Sequence, residues 1–187
     1  MMKKTNLFFA MLIAAASLQS CGDSDQSNSD SVEVAKDVNE DNKQIPEKAS
    51  EFMVKAASGG MMEVQLGKMA QSKTVNERVK AFGAMLERDH TAANEEMKTL
   101  AGSKSVVLPS SLGEDHQKHV NDLNEKTGAD FDKEYISMMV DDHKKDISDF
   151  EDAAKSDDAD LKAFAEKTLP VLRMHLDSAN AIHDAIK

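Results

Sequence analysis

The chain has 187 residues and a formal net charge of −11, with one cysteine, one tyrosine and no tryptophan. That length favours a single domain, the lone cysteine rules out an internal disulfide, and the acidic balance disfavours nucleic acid and anionic lipid headgroups as electrostatic partners. One tyrosine and no tryptophan are also poor material for sugar stacking or an aromatic-rich interface.

The N-terminus reads as a secretory signal over residues 1–20: Lys3 and Lys4, an apolar run from Leu7 to Leu18, then small residues. The run is roughly 12 residues, short of the about 20 needed to span a bilayer. Leu18-Gln19-Ser20-Cys21 resembles the bacterial lipobox, which implies cleavage before Cys21 and lipidation of its thiol. The plainer alternative is an ordinary signal with a leftover cysteine. Losing Lys3 and Lys4 with the signal takes the charge from −11 to −13. Residues 21–46 follow as a polar, acidic stretch with few large apolar residues, which predicts a disordered tether. Pro46 closes it, at a position suited to a helix start.

Residues 47–187 carry helical periodicity. The first long helix is expected over Glu47–Ser72, with Phe52, Ala56, Gly59, Glu63, Leu66 and Ala70 as its core stripe. The second, Asn76–Ala101, carries Val79, Phe82, Leu86, Ala93, Met97 and Leu100, and Gly102 reads as its stop. A long connector with Pro109 and Gly113 holds a short helix over Glu114–Lys126. The third long helix, Asp130–Lys155, carries Phe131, Tyr135, Met139, His143, Ile147 and Phe150. The fourth, Ala159–Ile186, carries Leu161, Ala165, Leu172, Leu176 and Ala179, with Pro170 expected to kink it. Two short links and one long connector describe an all-α four-helix bundle, either ferritin-like with a crossover or simply up-down-up-down.

No nucleophile motif, phosphate-binding loop or His-Glu-x-x-His is present; the chemistry rests on carboxylates and histidines. Glu63 lies on the core stripe of its helix, where a carboxylate is costly unless paired or metal-bound. His90 follows Glu87 by three residues and Asp89 by one; His143 follows Asp141 and Asp142; His175 sits near the core face of the last helix. Ferritin-like di-metal proteins use a Glu on two helices and Glu-x-x-His on two others. Here the third helix has Asp-Asp-His, and the fourth has Leu172 where a glutamate would stand.

Two uses of Glu63, His90, His143 and His175, with Asp89 and Asp142 beside them, stay open. One is a hydrogen-bonded network that fixes helix register, the commoner fate of such groups. The other is a site for a divalent transition metal. Counted along the axes at 1.5 Å per residue, the four spread over about 12 Å, so all four are not expected around one ion. Glu63 with His143 is expected in either topology, and His90 with His175 only without a crossover. The nine methionines after the signal, Met61-Met62 and Met138-Met139 among them, read as core filler before a copper(I) site. His116 and His119 read as a polar helix face before a surface metal pair.

The segments FMVKAASGGMMEVQLGKMA, VKAFGAMLERDHTAANEEMKTLA, FDKEYISMMVDDHKKDISDFE and LKAFAEKTLPVLRMHLDSANAI together resemble the bacterial family known as domain of unknown function 4142, from about Ser50 to the C-terminus. Glu63, Asp89-His90, Asp142-His143, Leu169-Pro170 and His175 match its motif positions in order. The resemblance implies a ferritin-like bundle exported to the cell envelope, periplasmic or outer-membrane, and supplies no activity. The expectation is a membrane-anchored envelope lipoprotein with Cys21 as its anchor, metal-binding at Glu63, His90, His143 and His175 and without established catalysis. The alternatives are a metal-dependent redox or stress-defence enzyme, and an interaction module whose histidines only lock the bundle.

Overall fold

The computed structural model describes residues 30–186; the signal and the lipidation motif at Cys21 lie outside them. Six helices follow in order: α1 (Ser31–Asn39), α2 (Glu47–Lys73), α3 (Glu77–Ser103), α4 (Glu114–Asn124), α5 (Gly128–Ala153) and α6 (Ala159–Ile186). No strand occurs among the described residues. The four long helices form the expected bundle, and their bounds fall within two residues of those read from periodicity. None of the described helices is long and apolar enough to cross a membrane.

Two apolar clusters fix the topology. One joins Leu66 and Ala70 at the end of α2, Val79 and Phe82 at the start of α3, Phe131 and Tyr135 at the start of α5, and Ala179 and Ile182 at the end of α6. The other joins the opposite ends: Ala49 and Met53, Met97 and Ala101, Phe150 and Ala153, Leu161 and Ala165. The α2–α3 link and the α5–α6 link are therefore at opposite ends of the bundle. The connector from α3 to α5 travels its whole length, and α4 lies along that path, so the bundle is of the ferritin-like crossover type.

The disordered tether expected over residues 21–46 is corrected in its second half. Residues 31–39 form α1, capped by Asp30, whose Oδ1 accepts from Val32 N at 2.7 Å. The other oxygen, Oδ2, accepts from Glu114 N at 2.9 Å, so one carboxylate caps two helices. Asn39 exchanges both amide bonds with the backbone of Val107, each at 2.8 Å. Ala35 and Asn39 are buried. Alone, α1 is too short and too polar to persist; its stability comes from the connector and from packing on α2.

Two further expectations shift. Near its start, α2 buries Met53, Ala57 and Gly60 rather than Phe52, Ala56 and Gly59, which are half-buried. Steps of four and three only approximate the helical repeat, so a stripe drawn from Glu63 back to the N-terminus slips by one residue. Gly102 does not end α3, which runs to Ser103. Ser105 takes the left-handed turn at φ 55°, and Val106 N donates to Ala101 O at 2.9 Å, the 6→1 bond of a Schellman ending. Pro170 sits inside α6, which continues through it.

Gly67 and Gly83 bring α2 and α3 together. A Cβ at Gly67 would lie 2.6 Å from Gly83 O, and one at Gly83 would lie 2.8 Å from Ala70 Cβ. The tight hairpin that results positions Glu63 and His90 side by side.

Candidate metal centre

Between the two apolar clusters lies one polar layer. Glu63 from α2, His90 from α3, His143 from α5 and His175 from α6 are 1 %, 7 %, 0 % and 0 % exposed. The axial count that kept the four apart is corrected. Measured from the true helix ends at the α2–α3 end of the bundle, their heights fall at about 15 to 22 Å, a range that side chains of this length close. His90 and His175, expected to meet only without a crossover, have ring centroids 5.3 Å apart in the crossover bundle.

Each imidazole is held by one nitrogen. His143 Nδ1 lies 3.0 Å from Met139 O, a carbonyl that can only accept, so Nδ1 carries the proton. His175 Nε2 lies 3.0 Å from Asp89 Oδ2 and donates to it. His90 Nδ1 lies 2.9 Å from Glu63 Oε2. Those bonds leave His143 Nε2 and His175 Nδ1 as bare lone pairs, yet they face each other at 3.3 Å. His90 Nε2 is buried with no hydrogen-bond partner. One ring nitrogen of each histidine lies within 4.8 Å of one from each of the others.

Burial holds these rings neutral. It pushes His90 and His143 down to about 4, and lowers His175 as well. Burial raises Glu63 to about 8, against the pull of His143. Asp89 behaves oppositely: despite its partial burial, Arg88 and His175 hold its carboxyl below the usual range. Arg88 grips that carboxylate with two bonds, at 2.7 and 2.9 Å, and so steadies the acceptor of His175.

The sequence-predicted residues thus come together, Asp89 directly on His175. Asp142 falls in a second group with Glu63 and Asp146. Asp146 and Tyr135 were not singled out as site residues from the sequence. Asp146 follows Asp142 by four residues, a spacing that places both on one helix face. Tyr135 is wholly buried, its hydroxyl without a partner, and burial, then the Glu63 charge, raise its pKa. His116 serves packing: its Nδ1 lies 2.7 Å from Ser58 Oγ, which accepts from Gly113 N at 3.0 Å, pinning α4 to α2. Met62 and Met139 are core residues.

A three-imidazole cluster whose outer nitrogens are engaged by a carbonyl and two carboxylates has the make-up of a metal centre. Metal-bound histidines donate their other N–H to such groups, which fixes tautomer and ring orientation. The donor type suits zinc, copper, nickel or iron.

Comparison with known proteins agrees on the fold. The described chain is similar to the crystal structure of a DUF305 fragment from Deinococcus radiodurans, at a TM-score of 0.67 and 8 % identity, covering 75 % of this chain and 98 % of that one. At that identity the likeness speaks for the helical fold alone. A search of curated proteins gave no match. The family model described as domain of unknown function (DUF4142) matches residues 34–182, which include all six helices in whole or part and every residue of the polar layer. The chain belongs to that family.

Proposed function

We propose that this protein is a metal-binding protein of the cell envelope, whose helical domain holds a divalent transition ion on His90, His143 and His175. The observation that carries the reading is the pair of facing lone pairs, His143 Nε2 and His175 Nδ1, 3.3 Å apart. Both rings spend their proton outward, and burial disfavours a second proton on either. A cation between them removes the conflict, with the Asp89 carboxylate behind His175 and Glu63, once it has released its proton, behind His90. Three protein ligands leave a fourth position open for water or an exogenous group. The envelope placement is supported by Leu18–Cys21 and the run before it, with Cys21 as the lipid anchor.

Protein made without a histidine tag and titrated with Zn²⁺ against a chelating competitor tests the centre. One equivalent per chain is expected, lost in His143→Ala/His175→Ala. Absence of binding in the wild-type chain, or equal binding in the double variant, refutes it and leaves the histidines as a register lock. Metabolic acyl-chain labelling lost in Cys21→Ala tests the anchor, and labelling that persists removes it.

A further inference from the structure

Glu63 has two sets of neighbours. Its Oε2 contacts His90, and it also belongs to a group of carboxylates. One oxygen each from Glu63, Asp142 and Asp146 lies within 4.8 Å of the other two. Three carboxyl groups at that range in a weakly solvated interior cannot all be ionised without strong mutual repulsion. Among the described residues no lysine or arginine forms an ion pair with any of the three. Lys55 pairs with Asp149 at 2.5 Å and acts on Asp142 and Asp146 only at a distance, as Lys145 does on Asp142. Glu63 Oε1 and Asp142 Oδ2 are both buried without a hydrogen-bond partner. The His143 Nδ1 proton, 3.4 Å from Glu63 Oε1, is already given to Met139 O.

Space is provided beside two of them, Glu63 and Asp146. A cavity of about 30 Å³ is lined by Glu63, Asp146, His90, Asn94 and Thr168 among others, enough for an ion or a water. Gly60 makes the room: a Cβ there would lie 2.2 Å from Asn94 Oδ1, so only glycine lets that amide sit beside the carboxylates. Asp142 lines instead a groove of about 990 Å³ bordered by residues of α1, α2, α4 and α5, so the group meets solvent through this one carboxylate.

We infer that Glu63, Asp142 and Asp146 form a second cation site, an oxygen site for a hard divalent ion of the Mn²⁺ or Ca²⁺ type, next to the imidazole centre and sharing Glu63 with it. Donors about 2.0–2.6 Å from one ion lie within about 5 Å of each other, the separation these oxygens have. Carboxylate and amide oxygens prefer such ions, whereas imidazoles prefer zinc or copper, so the layer sorts two kinds of cation. The inference meets the proposed function only at Glu63; the oxygen site stands without the histidine one.

Mn²⁺ titration of the full untagged chain by electron paramagnetic resonance, at about 0.1 M salt to screen the acidic surface, tests it. One bound Mn²⁺ per chain is expected to be lost, or weakened at least tenfold, in Asp142→Asn/Asp146→Asn. That variant keeps its Zn²⁺ equivalent, and His143→Ala/His175→Ala keeps its Mn²⁺ while losing Zn²⁺. The Asn pair relieves repulsion at nearly constant volume, and circular dichroism verifies its fold. Gly60→Ala, whose Cβ forces the Asn94 amide to move, is a second variant expected to weaken Mn²⁺. A wild-type chain that binds no Mn²⁺ up to 1 mM, or unchanged Mn²⁺ binding in both the Asn pair and Gly60→Ala, overturns the site. Loss of the Zn²⁺ result alone sinks the histidine centre and leaves this one standing.

Discussion

Asp89→Asn separates a metal centre from a register lock. The asparagine oxygen can still accept from His175 Nε2, so the 3.0 Å contact survives while the charge behind the ring is lost. If His175 binds a metal, removing this partner weakens affinity by about 10- to 100-fold. With metal at about 100 times the wild-type Kd, binding stabilises the wild type by about 2.7 kcal/mol, and the variant at the same concentration by only about 0.4–1.4 kcal/mol. For a domain of this size 1 kcal/mol moves Tm by about 2–4 °C. Zn²⁺ should therefore raise the wild-type Tm by about 5–11 °C and that of Asp89→Asn by about 1–6 °C. Scanning calorimetry of both proteins, stripped and Zn²⁺-loaded, measures the four values. The informative quantity is the difference of differences, because Asp89→Asn also alters the metal-free protein. An equal metal-induced rise in both proteins, or none in either, would refute the reasoning.

The affinity for Zn²⁺ should rise tenfold per pH unit up to about pH 8 and level off above it. Glu63, raised by burial to about 8, holds a proton at neutral pH that it must release to accept from His90. Because His90 and His143 titrate near 4, they compete with the metal only in strong acid; competitive titrations between pH 6 and 9 measure the slope. Tyr135→Phe should leave stability unchanged or raise it by about 1 kcal/mol in chemical denaturation, since it removes a buried hydroxyl that has no partner. Gly83→Ala should destabilise by about 1–3 kcal/mol through overpacking against α2. Gly102→Ala, with nothing within 4 Å of the new Cβ, should gain up to about 1 kcal/mol of helix propensity; urea midpoints distinguish the two. Ser105→Gly should stabilise by about 1 kcal/mol by relieving the left-handed turn that ends α3, read from the same urea curves.

The long helices were legible because each carries its own evidence. α6 runs over Ala159–Ile186 as its periodicity requires, and Asp158 caps it by accepting from Leu161 N at 2.9 Å. α1 was illegible because its support is remote: Asn39 is tied to Val107, 68 residues away, and no local pattern announces that bond. Glu63, His90, His143 and His175 were visible as polar residues on or near apolar faces. Their convergence was not, because an axial count with uncertain helix ends carries an error as large as the spread it judges. Which ring nitrogen faces inward depends on Met139 O, Glu63 and Asp89, partners set by rotamer and by neighbouring helices. The crossover was one of two readings because it rests on the pairing of apolar ends of α2 with α6 and of α3 with α5, which no local pattern carries.

The crossover also bears on the order of folding. Each helical hairpin is local, with a three-residue link between α2 and α3 and a five-residue link between α5 and α6, so both can form early and cheaply. Their docking waits on closing the long connector. Of the four residues in the polar layer, Glu63 and His90 belong to the first hairpin, His143 and His175 to the second. The layer therefore does not exist until the halves meet. An ion bound there acts as a rivet across the last-formed interface: it slows the parting of the hairpins and barely affects how either one forms.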